Sequence, residues 1–142
     1  MFRKGAMSKV MLAISDHWVS DARIDALAHW TLQLQREVIC VHISPSGLDP
    51  GHLETPGEKI LKDITARIAK INPKVESLLL FATDITEALN KSIAQHKATL
   101  LVMGLSRQGL IERLIEGNVP RAILAQCHIP ILALPADWDG VI

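Results

Sequence analysis

The chain has 142 residues, the length of one ordinary domain that can bury a core without staples. Hydrophobic residues make up 49% and charged residues 21%, which excludes a disordered or collagen-like chain and fits a sheet covered by helices on both faces. Fifteen basic and fifteen acidic side chains cancel, so no global field draws the protein to nucleic acid or to an anionic membrane.

Residues 1–8 read as a flexible lead, with Met7 serving equally well as a start, and 9–142 as a single domain. The apolar run Val10 to Ile14 is shorter than a signal-peptide core and reads as a buried strand ending at Ser15 and Asp16. Ser20 caps a predicted helix to about Arg36, with Ile24, Leu27, Ala28, Thr31 and Leu34 at helical spacing. Val38 to Ile43 is a second buried strand. The segment Ser44 to Gly57 holds three prolines and three glycines, a loop that serves either as a lid or as a plain excursion. Ile60, Ile64, Ile68 and Ile71 mark one face of a second helix, which Asn72-Pro73 stops.

Val75 to Phe81 is the third strand. Asp84 to Glu87 has the spacing of a capping box for a third helix with the stripe Ile85, Leu89 and Ile93. Leu100 to Met103 is the fourth strand. A glycine-bearing loop from Gly104 to Gly117 then leads to a helix opened by Asn118 and Pro120, and Ile129 to Leu134 is the fifth strand. Alternating strands and helices imply a parallel sheet with right-handed crossovers, whose ligands bind beyond the carboxyl ends of the strands where the winding reverses. The loop before Asn118 is an anion pocket in outline, because a helix's first turn has N–H donors with no internal partner.

Other chemistries fit poorly. The residues after the first strand (Ser15, Asp16, His17, Trp18) lack the glycines of a dinucleotide fingerprint, and no Gly-Lys-Ser or Gly-Lys-Thr follows the glycine loop. Ser106 is separated from Gly109 by two residues, where a hydrolase elbow has one. The six histidines have no metal-ligand spacing, and His42 reads as a satisfied core imidazole. Arg107, Arg113 and Arg121 interleave with Glu112 and Glu116, as on a solvated helix face. Cys40 and Cys127 form no Cys-x-x-Cys pair and read as reduced structural thiols, which suit the cytoplasm. No run approaches a membrane span of roughly eighteen apolar residues.

The loop also resembles the universal stress protein family, whose ATP-binding members carry Gly, two residues, Gly, nine residues, Gly, then Ser or Thr. The four positions fall here on Gly104, Arg107, Gly117 and Asn118. The likeness extends along Lys9 to Ser15, Glu37 to Ile43, Ala98 to Gly104 and Cys127 to Pro135. It implies a Rossmann-like, three-layer α/β/α sandwich of the adenine nucleotide alpha hydrolase-like type, with a five-stranded parallel sheet in the order 3-2-1-4-5. It implies ATP or another adenine nucleotide at the switch point between the first and fourth strands, with magnesium only as a nucleotide-bound ion and no metal site of the protein's own. Ala13 and Ser15 would form the base of that site, with Asp16 a further candidate next to Ser15, and Ile43 would lie against the adenine. Met103 and Gly104 would line the adenosine side, with Arg107 and Gly109 in the loop and Gly117, Asn118, Val119 and Pro120 around the phosphates.

Three departures from the family pattern weaken the expected ATP affinity. Ser15 stands where the family has aspartate, and the neighbouring Asp16 would point to the other side of an extended strand. Arg107 replaces a glycine, at a cost of roughly 1–2 kcal/mol if that backbone is left-handed, although a guanidinium is also a good phosphate partner. Asn118 replaces Ser or Thr mildly, since it still caps and donates. The expected function is a cytoplasmic stress-response regulatory module rather than an enzyme; the alternatives are a nucleotide-independent dimeric scaffold and a slow ATPase. The last strand, bounded by Pro130 and Pro135, lies at the sheet edge in the implied order and is expected to pair with a second copy as a homodimer. The competing reading has the tail 136–142 masking that edge.

Overall fold

The computed structural model describes residues 9–14, 21–44, 56–104 and 127–134. Five strands, β1 (Lys9–Ala13), β2 (Glu37–Ser44), β3 (Val75–Phe81), β4 (Ala98–Gly104) and β5 (Ile131–Leu134), form one sheet. Among the described residues, three helices, α1 (Asp21–Gln33), α2 (Pro56–Ala69) and α3 (Ile85–His96), connect or cover them. The sheet order is β3-β2-β1-β4-β5 and every adjacent pair is parallel. The implied order is thus the observed one.

The strand repeat of two distributes each apolar run to both faces of the sheet. Val10, Leu12, Ile14, Val38, Cys40 and Val102 pack with Ile24, Leu27 and Ala28 of α1 and Leu61, Ile64 and Ile68 of α2. Met11, Ile39, Val41, Ile43, Leu101 and Met103 pack with Leu89 and Ile93 of α3. Burial on both faces explains why these strands read as continuous apolar runs.

The elements end where local chemistry requires. Helix α1 stops at Gln33, short of the expected Arg36, because Gln35 adopts a left-handed backbone with φ of 54°. The Gln35 and Arg36 amides then turn back to the Leu32 and Thr31 carbonyls at 3.0 and 2.9 Å, a closing motif that satisfies the last carbonyls. Leu34, expected in the buried stripe, lies on this closing turn and is 45% exposed. Asp84 does cap α3, accepting the Glu87 amide at 3.0 Å, and the Glu87 carboxylate pairs with Lys91 Nζ at 2.9 Å.

Asn72, read as a helix stop, is also a buried clamp. Its amide donates to Thr31 Oγ1 at 3.2 Å and to the Arg36 carbonyl at 3.1 Å, while its carbonyl accepts the Lys74 amide at 3.1 Å. It thereby ties the end of α1 to the connection between α2 and β3. The helices are joined further by Arg67, which forks onto Asp25 with contacts of 2.8 and 2.9 Å. That guanidinium holds the Asp25 carboxyl below its ordinary range.

The observed strands extend beyond the expected ones at β2, which takes in Glu37 and Ser44, and at β4, which runs from Ala98 to Gly104. β5 starts later, at Ile131, although the Pro130 carbonyl already accepts the Leu101 amide at 3.0 Å. The expected helix from Asn118, the tail 136–142, residues 1–8 and residues 45–55 of the expected loop lie outside the described residues.

Candidate functional site

From β1 the chain winds outward through β2 to β3, and from β4 it winds the other way to β5. The reversal therefore lies between β1 and β4, and in open parallel sheets the carboxyl ends of the strands at such a point are where ligands bind. At that edge Ala13 is in register with Val41 of β2 on one side and Met103 of β4 on the other. Met103 in turn faces Ala133, and Gly104 faces Leu134.

Ala13, Ile43 and Met103 all belong to the α3-facing side of the sheet. Met103 and Ile43 are 7% and 9% exposed and supply an apolar wall and floor, while the half-buried Ala13 between them adds only a methyl group. Four of the residues named from the sequence, Ala13, Ile43, Met103 and Gly104, thus lie at the carboxyl ends of β1, β2 and β4. Ser15, Asp16, Arg107, Gly109, Gly117, Asn118, Val119 and Pro120 lie outside the described residues.

One residue at this edge has a contact that no local signal indicates. His42, 7% exposed, places Nδ1 2.8 Å from the Ile14 carbonyl, while the Ile14 amide donates to the Val41 carbonyl at 2.8 Å. Its spacing in the sequence shows only a polar position in an apolar strand. The N-terminus of α3, another group of amide donors, is occupied by its own Asp84 carboxylate.

Among the described residues, no three His, Cys, Asp or Glu side chains gather to hold a metal ion. Among the same residues, no helix is long and apolar enough to cross a membrane. Cys40 and Cys127 are free thiols, the first fully buried.

The model of the universal stress protein family matches residues 7–135. Among solved structures, the chain is similar to a universal stress protein in complex with cAMP, with 19% identity and a TM-score of 0.71 over 93% of this chain and 99% of that one. It is similar to the universal stress protein from Archaeoglobus fulgidus in complex with dAMP, with 16% identity and a TM-score of 0.66 over 89% and 96% of the two chains. An Arabidopsis thaliana family protein with AMP bound is 14% identical, with a TM-score of 0.59 over 92% of each chain. No curated protein matches the chain in sequence. With a family match over nearly its whole length and the same fold in these structures, the chain belongs to the universal stress protein family.

Proposed function

We propose that the protein is a regulatory module of the stress response that binds an adenine nucleotide at the carboxyl ends of β1 and β4. The observation that carries this reading is the reversal of winding between those strands, with Ala13 and Met103 in register at its edge. The small side chain of Ala13 beside the apolar Ile43 and Met103 suits an adenine ring, and the neighbours bound to cAMP, dAMP and AMP support the class of ligand. The free thiols are in keeping with action in the cytoplasm.

In the same proposal the protein is a homodimer built by antiparallel pairing of β5 and acts through a protein partner rather than by catalysis. β5 pairs with β4 on one side and is the last strand of the described sheet, where pairing with a second copy would continue the ladder.

The test is a denatured extract of freshly purified protein, chromatographed for nucleotide, followed by calorimetry with AMP and ATP. Co-purified adenine nucleotide, or saturable binding in the micromolar range, is the expected result. Absence of both overturns the nucleotide reading in favour of the dimeric scaffold. Phosphate release from ATP that is lost in Asp16→Asn would favour the slow ATPase.

A further inference from the structure

We propose that the end of the sheet where the strands begin is a docking surface for an extended, acidic segment of a protein partner. The proposal rests on the reading above that the protein acts through a partner and adds the chemistry of that partner. It is independent of the nucleotide, which that reading places at the opposite ends of the strands.

A parallel sheet with crossover helices brings its strand starts to one end. Lys9, the first residue of β1, is opposite Glu37 and Ala98, the first residues of β2 and β4, and Val75, the first of β3, is opposite Val38. The residues just before β2, β3 and β4 are Arg36, Lys74 and Lys97. Four strands that are neighbours in the order β3-β2-β1-β4 are therefore entered through a basic residue at one level. Neighbouring strands lie about 4.8 Å apart, so the row is about 14 Å long. Lys70, exposed just beyond α2, belongs to the same end.

Among the described residues, the acids of this end are Glu37, 3.9 Å from Lys9, and Glu76, second in β3. Arg36, Lys70 and Lys97 form no ion pair with any described residue. The lead 1–8, which precedes β1, adds Arg3 and Lys4 and no acid. A chain of zero net charge thus concentrates positive charge at one end, which attracts an anionic partner locally. Helix dipoles favour cations near helix C-termini, but Lys9 belongs to a strand and Lys74 to the connection beyond the Asn72 clamp. The last carbonyls of α1 and α3 are moreover already taken by the amides of Gln35, Arg36 and Lys97.

A row of this length is spanned by about four residues of extended chain. Leu32 and Leu34, 43% and 45% exposed at the end of α1 near Arg36, offer apolar contact that a protein segment can use and a phosphate backbone cannot. Trp30 packs against the core, and no other tryptophan or phenylalanine among the described residues belongs to this end, so bases would find no stacking platform. Two leucines are also far less than the apolar face that holds an interfacial helix in a bilayer.

The test is fluorescence anisotropy of a labelled ten-residue glutamate peptide with the natural protein and two triple variants. One carries Arg36→Gln, Lys70→Gln and Lys97→Gln; the other carries Lys59→Gln, Lys62→Gln and Lys91→Gln, the same change of charge placed along α2 and α3. We expect the natural protein to bind the peptide with an affinity that falls as salt is added. The first triple should bind about tenfold more weakly and the second within about threefold of natural. No binding by the natural protein at low salt, or equal losses in the two triples, overturns the surface. Tighter binding of a ten-nucleotide oligothymidylate, or of phosphatidylserine vesicles, overturns the assignment of an acidic protein segment. If the first triple does not fold, Arg36→Gln and Lys97→Gln decide singly: unchanged affinity in both overturns the proposal. Failure here is distinct from failure of the nucleotide site or the dimer, because AMP calorimetry and light scattering read those separately.

Discussion

Raising the pH should destabilise this protein through a single thiol. Cys40 lies in the middle of β2, fully buried between the sheet and α2, and burial pushes its pKa from 9.0 up to about 12, with the Thr65 hydroxyl giving only partial relief. The folded chain therefore holds the proton more tightly than the unfolded chain, and the sign follows. Below about pH 9 both states keep it and the contribution to stability is complete; between about pH 9 and 12 only the unfolded chain loses it, and stability falls as pH rises. The slope approaches about 1.4 kcal/mol per pH unit, so at about pH 10.5 the loss is about 2 kcal/mol. Urea unfolding at several pH values should show this loss in the natural protein and a shallower one in Cys40→Ala, where other groups still titrate. The chain has no tyrosine, so thiolate absorbance in the ultraviolet can be followed without interference from tyrosinate. In a Cys127→Ser background the folded protein should show almost no thiolate at about pH 10.5, and the urea-unfolded chain nearly full thiolate. Equal pH slopes for the natural protein and Cys40→Ala, or a thiolate step in the folded protein near pH 9, would refute the reasoning.

Asn72→Ala removes three hydrogen bonds from a site only 2% exposed and should cost about 2–4 kcal/mol in urea unfolding; a loss below about 0.5 kcal/mol would mean that water replaces the clamp. Ala133→Asp should shift the protein from dimer to folded monomer in light scattering, since Ala133 is exposed on β5; it is a cleaner probe than Leu132→Asp, because Leu132 packs against the α1 and α2 side of the core. A natural protein that is monomeric at micromolar concentration would rule the dimer out. Arg107→Gly combined with Ser15→Asp should tighten ATP binding by about tenfold or more in calorimetry, by restoring a family motif in which each departure is worth on the order of 1 kcal/mol. Tight binding by the natural protein, unimproved in the double variant, would contradict the assignment of those two positions.

The layers of this fold were legible in the sequence because their signals are local. An apolar run such as Val38 to Ile43 can be buried on both faces only in a covered sheet, and the Ile60, Ile64 and Ile68 stripe can face only one way on a helix. Asp84 announced its cap because donor and acceptor lie three residues apart. Periodicity carried no information about strand order, which came from the family likeness, since side-chain alternation reports which faces are buried and not which strand pairs along each backbone edge. Tertiary structure alone decided the contacts between distant residues: His42 with Ile14, twenty-eight positions away, Asn72 with Thr31, forty-one away, and Arg67 with Asp25, forty-two away. Each joins polar groups that look ordinary in isolation, a core imidazole, a helix stop and a surface charge. Their roles arise when the sheet brings the end of β1 beside β2 and packs α1 against α2, because a buried hydrogen bond is specified by the position of its partner rather than by the neighbours along the chain.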